Sequence, residues 1–362
     1  MRWELYCRVI DNHGDLGVAW RLASDLAARG ESVRLAVDDR SALAWMAPSA
    51  AAGQVELAAW DARQDDARGV RPDVVVELFG GGLPAATKDL AAGHPSTIFI
   101  NLEHLSAERY VERCHGLPSP RSTPDGVQTT WFYYPGFTPA TGGLLREAAL
   151  VLPGRRSAGE RHRDLQALGL DPRPDERVVS LFCYRNPGLD ELLESLAEAP
   201  TLLLLTPGPA TEQATAALGP SGRRGLLRAV PLGYLEQAAF DRLLAACDLN
   251  FVRGEDSLVR AIWAGAPFVW QLYPQSNRAH ADKLEAFLTQ FLDKADPALA
   301  AAVGSLFRRW NGSTGNESDR PDWPDQAPWR SACERWRRRL AAQRDLGSQL
   351  VDFAMSRQMG AG

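Results

Sequence analysis

The 362-residue sequence has few of the features that define several large protein classes. Its five cysteines are scattered singly, with no CxxC pair and no metal-ligand spacing, so no disulfide framework or zinc site is indicated. Several of these cysteines lie inside apolar runs, as the reduced cysteines of cytosolic protein cores do. No apolar stretch approaches the length that a membrane-spanning helix needs.

An excess of positive charge is also missing. The chain has 40 Lys and Arg residues against 45 Asp and Glu, a net charge of −5, which argues against nucleic acid as a principal partner. The opening MRWELYCRVIDN is typical of a strand and contains no apolar signal-peptide segment. With 45% hydrophobic and 23% charged residues, the composition is that of a soluble globular protein. We therefore expect a cytoplasmic protein that binds neither nucleic acid nor membrane.

The first half of the chain alternates strand and helix patterns. The length suggests two domains. An apolar helical face follows the first predicted strand and stops at Gly30, residues 116–143 predict surface loops, and residues 155–176 predict the connection between domains. Most predicted strands are continuous apolar runs, as parallel strands buried on both faces are. They cover residues 5–10, 33–37, 55–60, 74–79 and 97–102.

The second half repeats this alternation. Strands are predicted at residues 178–183, 202–206, 226–231, 249–252 and 268–272, with helices at 189–199, 211–218, 235–246 and 257–264. Residues 311–328 predict a polar insertion, and one long helix is expected to close the chain. The pattern predicts an α/β protein with two Rossmann-like domains facing each other across a cleft. The domains are predicted at 1–172 with 346–362, and at 173–345.

The strongest functional pattern lies in residues 250–275, NFVRGEDSLVRAIWAGAPFVWQLYPQ. An apolar run ends at Arg253 and Gly254, an acidic-polar group follows at 255–257, and apolar residues then recur at helical spacing. A strand, tight turn and helix in this order place free backbone N–H groups where a diphosphate binds well, with Arg253 beside them. The alternative is an ordinary turn in which Asp256 or Ser257 caps the helix.

A second loop, DNHGDLG at residues 11–17, follows the first strand. Its two carboxylates, Asp11 and Asp15, can converge on one cationic or hydroxyl-bearing group. Alternatively, Asp11 caps the turn and Asp15 caps the following helix. His13 has the chemistry of a general base, but a lone loop histidine is more often an exposed hydrogen-bonding residue.

A glycine-rich segment, residues 79–85, fits the dinucleotide pattern G-x-G-x-x-A, with Glu103 about twenty residues further on. It follows an internal strand rather than the first one, and Pro84 falls close to the end of the pattern. A glycine-lined floor that allows close approach of a ligand is the favoured interpretation.

Aromatic and amide side chains supply further candidates. Phe182 and Tyr184 end a predicted strand, where their rings can stack on a base. Gln237 and Phe240 lie three residues apart on one predicted helix and can hold a pyrimidine by hydrogen bonding and ring stacking. Taken singly, each is better explained by packing, and only their coincidence with the 253–257 turn favours a site.

Long motifs along the chain resemble one family. DNHGDLGVAWRLA, FCYRN, YLEQAAFDRLL, VRGEDSLVRAIWAGAPFVWQLYPQ and DLGSQLVDF occur in this order. Together they are similar to the bacterial protein-arginine rhamnosyltransferases that modify translation elongation factor P. The resemblance implies a two-domain GT-B glycosyltransferase fold. It further implies dTDP-β-L-rhamnose as donor, inversion at the anomeric carbon, elongation factor P as protein acceptor, and no metal or other cofactor.

The resemblance also implies roles for individual residues. Asp11 and Asp15 match the catalytic pair, with Asp15 favoured as general base, and Glu255 matches a catalytic position in the sugar-diphosphate turn. The remaining matched positions are implied to hold the donor: Asn12, Gly14, Phe182, Tyr184, Gln237, Phe240, Arg253, Glu255, Asp256 and Ser257. Two other functions stay open: a nucleotide-sugar epimerase of the same fold, and a non-catalytic scaffold that senses nucleotide-sugars.

Overall fold

The computed structural model describes residues 1–10, 13–48, 54–61, 71–85, 87–88, 96–123, 126–147, 157–273, 279–312 and 323–359. These residues form two compact units, Met1–Val151 with Leu340–Gly362, and Leu152–Arg339. Helix Ala158–Ala167, which the predicted boundaries place in the first domain, lies in the second unit, where it packs against helix Gln237–Ala246.

The first unit contains a seven-stranded sheet with the strand order β3-β2-β1-β4-β5-β7-β6. Its strands are β1 Arg2–Cys7, β2 Ser32–Val37, β3 Val55–Ala59, β4 Val74–Leu78, β5 Ile98–Leu102, β6 Pro118–Thr123 and β7 Gly126–Tyr133. All neighbouring strands are parallel except β6 and β7. The order reverses between β1 and β4, so this sheet is doubly wound as the sequence predicts.

The second unit contains a six-stranded sheet with the order β10-β11-β9-β8-β12-β13. Its strands are β8 Arg177–Leu181, β9 Thr201–Leu205, β10 Arg223–Arg224, β11 Leu227–Pro231, β12 Leu249–Arg253 and β13 Phe268–Gln271. Only β10 and β11 pair antiparallel. The order reverses between β8 and β12.

Helices connect the strands of both sheets. Those of the described residues are α1 Gly14–Ala28, α2 Leu43–Met46, α3 Arg109–Cys114, α4 Ala158–Ala167, α5 Leu189–Leu196, α6 Pro209–Leu218, α7 Gln237–Ala246, α8 Gly254–Ala264, α9 Ala279–Phe291, α10 Pro297–Trp310, α11 Gln326–Ala341 and α12 Leu346–Met359. None of these described helices combines the length and apolar character of a membrane span. The last helix, α12, belongs to the first unit, where Leu346 and Leu350 are buried with α1 and β1 residues in one core.

Two parts of the sequence prediction are wrong. Residues 116–143 do not form loops alone, because they contain the β6–β7 hairpin, and β7 extends the parallel part of the sheet beside β5. The final helix is not continuous. It is interrupted between α11 and α12, where Asp345 accepts a hydrogen bond from the backbone N–H of Ser348 at 2.8 Å and so caps a new helix.

The boundaries of the first strand also differ from the prediction. β1 runs from Arg2 to Cys7, so Ile10 lies outside it and is 77% exposed. Val9 and Ile10 donate their backbone N–H groups to carboxylates, those of Asp38 and Asp15, instead of to a neighbouring strand. The polar insertion is bounded by α10 and α11, and residues 313–322 within it lie outside the described part of the chain.

Candidate active site

The sites predicted from sequence follow strands that flank the reversal points of the two sheets. The loop with Asp15 follows β1, and the glycine-rich turn follows β4. In the second unit, Phe182 and Tyr184 follow β8, and the 253–257 turn ends β12. Because ligands of doubly wound sheets bind at the carboxyl ends of strands where the order reverses, each unit presents its candidates at the expected edge.

Asp15 closes the loop between β1 and α1. The structure places it in the first turn of α1, 7% exposed, where one carboxylate oxygen accepts the backbone N–H of Ile10 at 2.9 Å. It is therefore not the helix cap, which is His13 without a side-chain capping bond. The carboxylate charge also lies near the Cys7 thiol, whose pKa is raised by burial first and by Asp15 next.

The rest of this loop is only partly described. His13 is exposed, and its ring lies edge-on to Trp45 with centroids 5.3 Å apart. Gly14 is the first residue of α1. Asp11 and Asn12, two of the predicted site residues, lie outside the described part of the chain.

The glycine-rich turn after β4 bends sharply. Phe79 has a φ of 58°, unusual for a residue with a side chain, and Gly80 and Gly82 also have positive φ. The backbone N–H of Gly82 donates to Glu77 at 2.8 Å. At Gly81, a Cβ atom would lie 3.3 Å from Cβ of Arg8, so glycine allows the ends of β1 and β4 to approach each other.

Arg253 is the central cation of the second unit's candidate site. Its guanidinium carbon lies 4.6 Å from the ring centroid of Phe182 and 4.5 Å from that of Tyr184. Two ring faces hold the guanidinium by cation–π interaction. Its Nη1 atom is buried and has no hydrogen-bond partner among the described residues. A buried cationic donor without an acceptor costs free energy, so this position favours an anionic ligand.

The residues around Arg253 hold this arrangement. Tyr184 donates its backbone N–H to Oε1 of Gln271 at 2.9 Å, and its ring lies edge-on to Tyr273. Phe182 lies edge-on to Phe240 with centroids 5.7 Å apart, which links the loop after β8 to helix α7. Gln237 is the first residue of that helix and lies one turn before Phe240. The four predicted aromatic and amide positions thus belong to adjoining elements.

Ser257 supports the backbone of the turn at the start of α8. α8 begins at Gly254, three residues earlier than expected, with Arg253 as its cap. The Ser257 hydroxyl accepts the backbone N–H of Arg253 at 3.0 Å and donates to the Arg253 carbonyl oxygen. Ser257 is 3% exposed. Its hydroxyl therefore fixes the backbone of Arg253, and neither it nor Asp256 caps the helix by a side-chain bond.

The two acidic residues of this turn have cationic partners. Glu255 pairs with Nζ of Lys283 at 3.2 Å, which connects α8 to α9. Asp256 lies 3.7 Å from Nε of the buried Arg260, one turn along α8. These pairs reduce the repulsion that two carboxylates would exert on a diphosphate at the same turn.

Sequence reasoning missed Gln271 and Trp270, which support the turn from β13. The indole N–H of Trp270 donates to the carbonyl oxygen of Gly254 at 2.8 Å. In the sequence, Gln271 stands out as a polar residue in an otherwise apolar strand. It is 4% exposed in the structure. Among the described residues, no group of three or more His, Cys, Asp and Glu side chains is arranged to hold a metal ion.

Comparison with known proteins gives concordant matches. A family model described as Elongation-Factor P (EF-P) rhamnosyltransferase EarP matches residues 3–355. A protein-arginine rhamnosyltransferase of Pseudomonas putida is 42% identical over 384 residues, covering 97% of this chain and 98% of that protein.

Solved structures agree with these matches. One, concerned with EarP-mediated arginine glycosylation of translation elongation factor EF-P, is 34% identical with a TM-score of 0.68, covering 98% of this chain and 99% of that one. The glycosyltransferase of kitacinnamycin, 17% identical with a TM-score of 0.52 over 99% and 98% of the two chains, shares the fold alone. The GT-B fold expected from the sequence is thereby confirmed, and this chain belongs to the family of elongation factor P rhamnosyltransferases.

Proposed function

We propose that this protein transfers L-rhamnose from dTDP-β-L-rhamnose to an arginine side chain of translation elongation factor P, which activates that factor for rescue of ribosomes stalled at polyproline. Membership of the family over residues 3–355 supports the reaction and the acceptor. In the structure, the observation that carries the proposal is the buried Nη1 of Arg253, which has no acceptor among the described residues and lies at the carboxyl end of β12.

The donor is proposed to bind the second unit. The diphosphate would accept hydrogen bonds from Arg253 and from the first backbone N–H groups of α8, where the helix dipole also favours negative charge. Phe240 and Gln237 are proposed to hold the thymine ring by stacking and hydrogen bonding. Phe182 and Tyr184 keep the guanidinium of Arg253 in place, at 4.6 and 4.5 Å from their ring centroids.

The guanidinium nitrogen of the acceptor arginine is a poor nucleophile. The reference pKa of a guanidinium lies above about 12 and that of a carboxylate near 4, so complete deprotonation of a guanidinium by a carboxylate would cost about 8 pKa units, or ~11 kcal/mol. This cost disfavours a neutral guanidine formed before attack, and we do not propose one. As the new C–N bond forms, the attacking nitrogen loses conjugation and its proton becomes far more acidic. Asp15 then takes that proton during or after the transition state.

The remaining steps balance charge. The guanidinium nitrogen bonds to the anomeric carbon, the bond from that carbon to the diphosphate oxygen breaks, and dTDP leaves with the electron pair. Attack opposite the leaving group inverts the β-linked donor to an α-linked product. Arg253 and the α8 N–H groups stabilise the negative charge that develops on dTDP, with no metal in the scheme that the family resemblance implies. Asp11 is proposed to orient the guanidinium by charge-assisted hydrogen bonds.

Glu255 is proposed to act on the donor sugar. Its carboxylate pairs with Nζ of Lys283 at 3.2 Å, which favours one orientation of the side chain. A carboxylate close to a diphosphate would bind ribose or rhamnose hydroxyls as an acceptor rather than phosphate oxygens. Asp256, Ser257, Asn12 and Gly14 complete the proposed donor site.

The test is a transfer assay followed by intact-protein mass spectrometry. Purified protein is incubated with dTDP-β-L-rhamnose and elongation factor P, and peptide mapping locates any added sugar. We expect one deoxyhexose on a single arginine, and none on an acceptor in which that arginine is replaced by lysine. Conversion of the nucleotide-sugar to an epimer with an unmodified acceptor would contradict the proposal, as would transfer from UDP-linked sugars in preference to dTDP-rhamnose.

A further inference from the structure

Three polar residues lie at the carboxyl ends of β4 and β5 in the first unit's sheet, two within the strands and one directly after β5. Glu77 of β4 is in register with Asn101 of β5, and Glu103 follows Asn101 on the same face, two residues further along. All three are half-buried. We call them the edge cluster. The family comparison and the predicted catalytic loop leave this cluster without a role.

The edge cluster presents hydrogen-bond acceptors. The side-chain amide of Asn101 donates to Oε1 of Glu103 at 2.8 Å, which turns Oδ1 of Asn101 the other way. That Oδ1 atom is buried and has no hydrogen-bond partner among the described residues. A buried acceptor left without a donor costs about 1–3 kcal/mol, so this position favours a ligand that supplies N–H groups.

Aromatic rings flank the edge cluster on the neighbouring strand and loops. Phe132 of β7 is in register with Asn101. Tyr134 lies two residues after Phe132, just as Glu103 lies two residues after Asn101. Tyr110 of α3 lies edge-on to Tyr134, with centroids 5.9 Å apart. Burial, and next the charge of Glu103, raise the pKa of Tyr134 to about 12, so its ring stays neutral at physiological pH.

A second pair of rings lies after the carboxyl ends of β4 and β5. Phe79, at the end of β4, stacks on His104 with centroids 4.7 Å apart and an interplanar angle of 13°. Arg8 approaches the same turn, with its Cβ near Gly81, but its guanidinium lies over Trp60 at 4.8 Å. Carboxylates between aromatic faces form an environment that recognises a planar cation with several N–H donors.

We propose that Glu77, Asn101 and Glu103, flanked by Tyr110 and Tyr134, form the subsite that binds the guanidinium of the acceptor arginine in this protein. This inference rests on the proposed transfer to arginine. The edge cluster positions the acceptor and takes no part in proton transfer. A guanidinium would donate to Oδ1 of Asn101 and to the two carboxylates, while the tyrosine rings cover its faces. Arginine would be selected over lysine because an ammonium cannot satisfy three acceptors in one plane.

The test separates acceptor binding from chemistry. Glu103→Gln and Glu77→Gln keep the shape of each side chain and remove its charge. KM and kcat for elongation factor P are measured at saturating dTDP-rhamnose, with dTDP affinity determined by calorimetry. Each variant should raise the acceptor KM about tenfold or more, with kcat within about threefold and dTDP affinity unchanged. Glu112→Gln, an exposed carboxylate of α3 that accepts from Thr138, is the matched control and should leave all three unchanged.

Glu103→Asp and Tyr110→Ala keep the inference testable if a glutamine variant fails to fold. Tyr110 is 41% exposed, so truncating it removes little packing, and the acceptor KM should rise several-fold. Glu103→Asp retains the charge and should recover much of the lost acceptor affinity. An unchanged acceptor KM in the folded variants would overturn the inference, as would a fall in kcat alone. If the wild-type protein is active, either result contradicts this inference but not the proposed function. An inactive wild-type protein would refute the proposed function instead.

Discussion

At the scale of single residues, Arg253 and the two aromatic rings around its guanidinium form the centre of the second unit's candidate site. The break after an apolar strand predicts Arg253 at a strand end, and the FCYRN motif predicts that its two aromatic residues end another strand. Parallel neighbours β8 and β12 bring these together, with both rings within 5 Å of the guanidinium carbon. The two hydrogen bonds between the Ser257 hydroxyl and the backbone of Arg253 depend on the three-dimensional geometry of the turn, which residue spacing does not reveal.

Replacing Arg253 tests the donor site. Arg253→Ala should weaken dTDP binding by about tenfold or more, because charge-assisted hydrogen bonds to phosphate contribute about 1.5–3 kcal/mol. Isothermal titration calorimetry with dTDP measures the change. Arg185→Ala is the matched control, since Arg185 lies in the loop after β8 next to Tyr184, is 70% exposed and pairs with Glu212 at 3.5 Å. Equal dTDP affinity of Arg253→Ala and wild type would exclude the phosphate role.

At the scale of elements, continuous apolar runs predicted the buried parallel strands well. The β6–β7 hairpin was missed because proline and glycine in its sequence favour loops. Its strand β7 is stabilised instead by pairing with β5, a long-range contact that local pattern does not show. The long C-terminal helix was predicted without its interruption, since the capping role of Asp345 becomes visible only in the structure.

The end of α3 carries a pH-sensitive contact. Nδ1 of His115 accepts the backbone N–H of Tyr134 at 3.2 Å, and the ring lies 4.4 Å from that of Tyr133. Burial lowers the pKa of His115, so the folded state favours the neutral imidazole. The unfolded chain then takes up the proton more readily. The stabilisation by His115 is complete above the unfolded-state pKa of about 6.5 and is lost as pH falls through the lower folded-state value.

Urea unfolding of wild type and His115→Gln between pH 5 and 8 measures this effect. Glutamine can accept the same hydrogen bond but does not titrate. The free energy of unfolding of wild type relative to the variant should therefore rise with pH and reach a plateau above about 6.5. A difference that stays constant across the range would show that His115 does not carry the pH dependence.

At the scale of the whole molecule, the two doubly wound sheets and their carboxyl-end loops were predicted from alternating strand and helix patterns, and the structure confirms them. The return of the chain to its first unit depends on contacts between distant residues. Arg29, which directly follows α1, pairs with Asp25 at 2.8 Å and with Asp345 at 2.7 Å, and so joins the end of α1 to the start of α12. Sequence spacing gives no indication of a network that joins residues so far apart in the chain.

Gly347 tests how closely α12 packs on α1. A Cβ atom at this position would overlap Oδ2 of Asp25, which is 2% exposed and ion-paired. Gly347→Ala should therefore destabilise the first unit by about 1–3 kcal/mol, as overpacking does in buried sites. Urea unfolding measures the decrease in the free energy of unfolding. Gly159→Ala, in the first turn of α4 with open space around it, should be neutral or slightly stabilising. Equal midpoints for the two variants would contradict the close packing.

The most direct test of the account is one comparison of Asp15→Asn with wild type, in which dTDP affinity and rhamnosyl transfer to elongation factor P are measured on the same samples. Asparagine retains an oxygen that can accept the N–H of Ile10, which Asp15 binds at 2.9 Å, so the loop should keep its conformation. We expect dTDP affinity within a few-fold of wild type and no deoxyhexose on the acceptor. Full transfer by Asp15→Asn would contradict the catalytic role of Asp15.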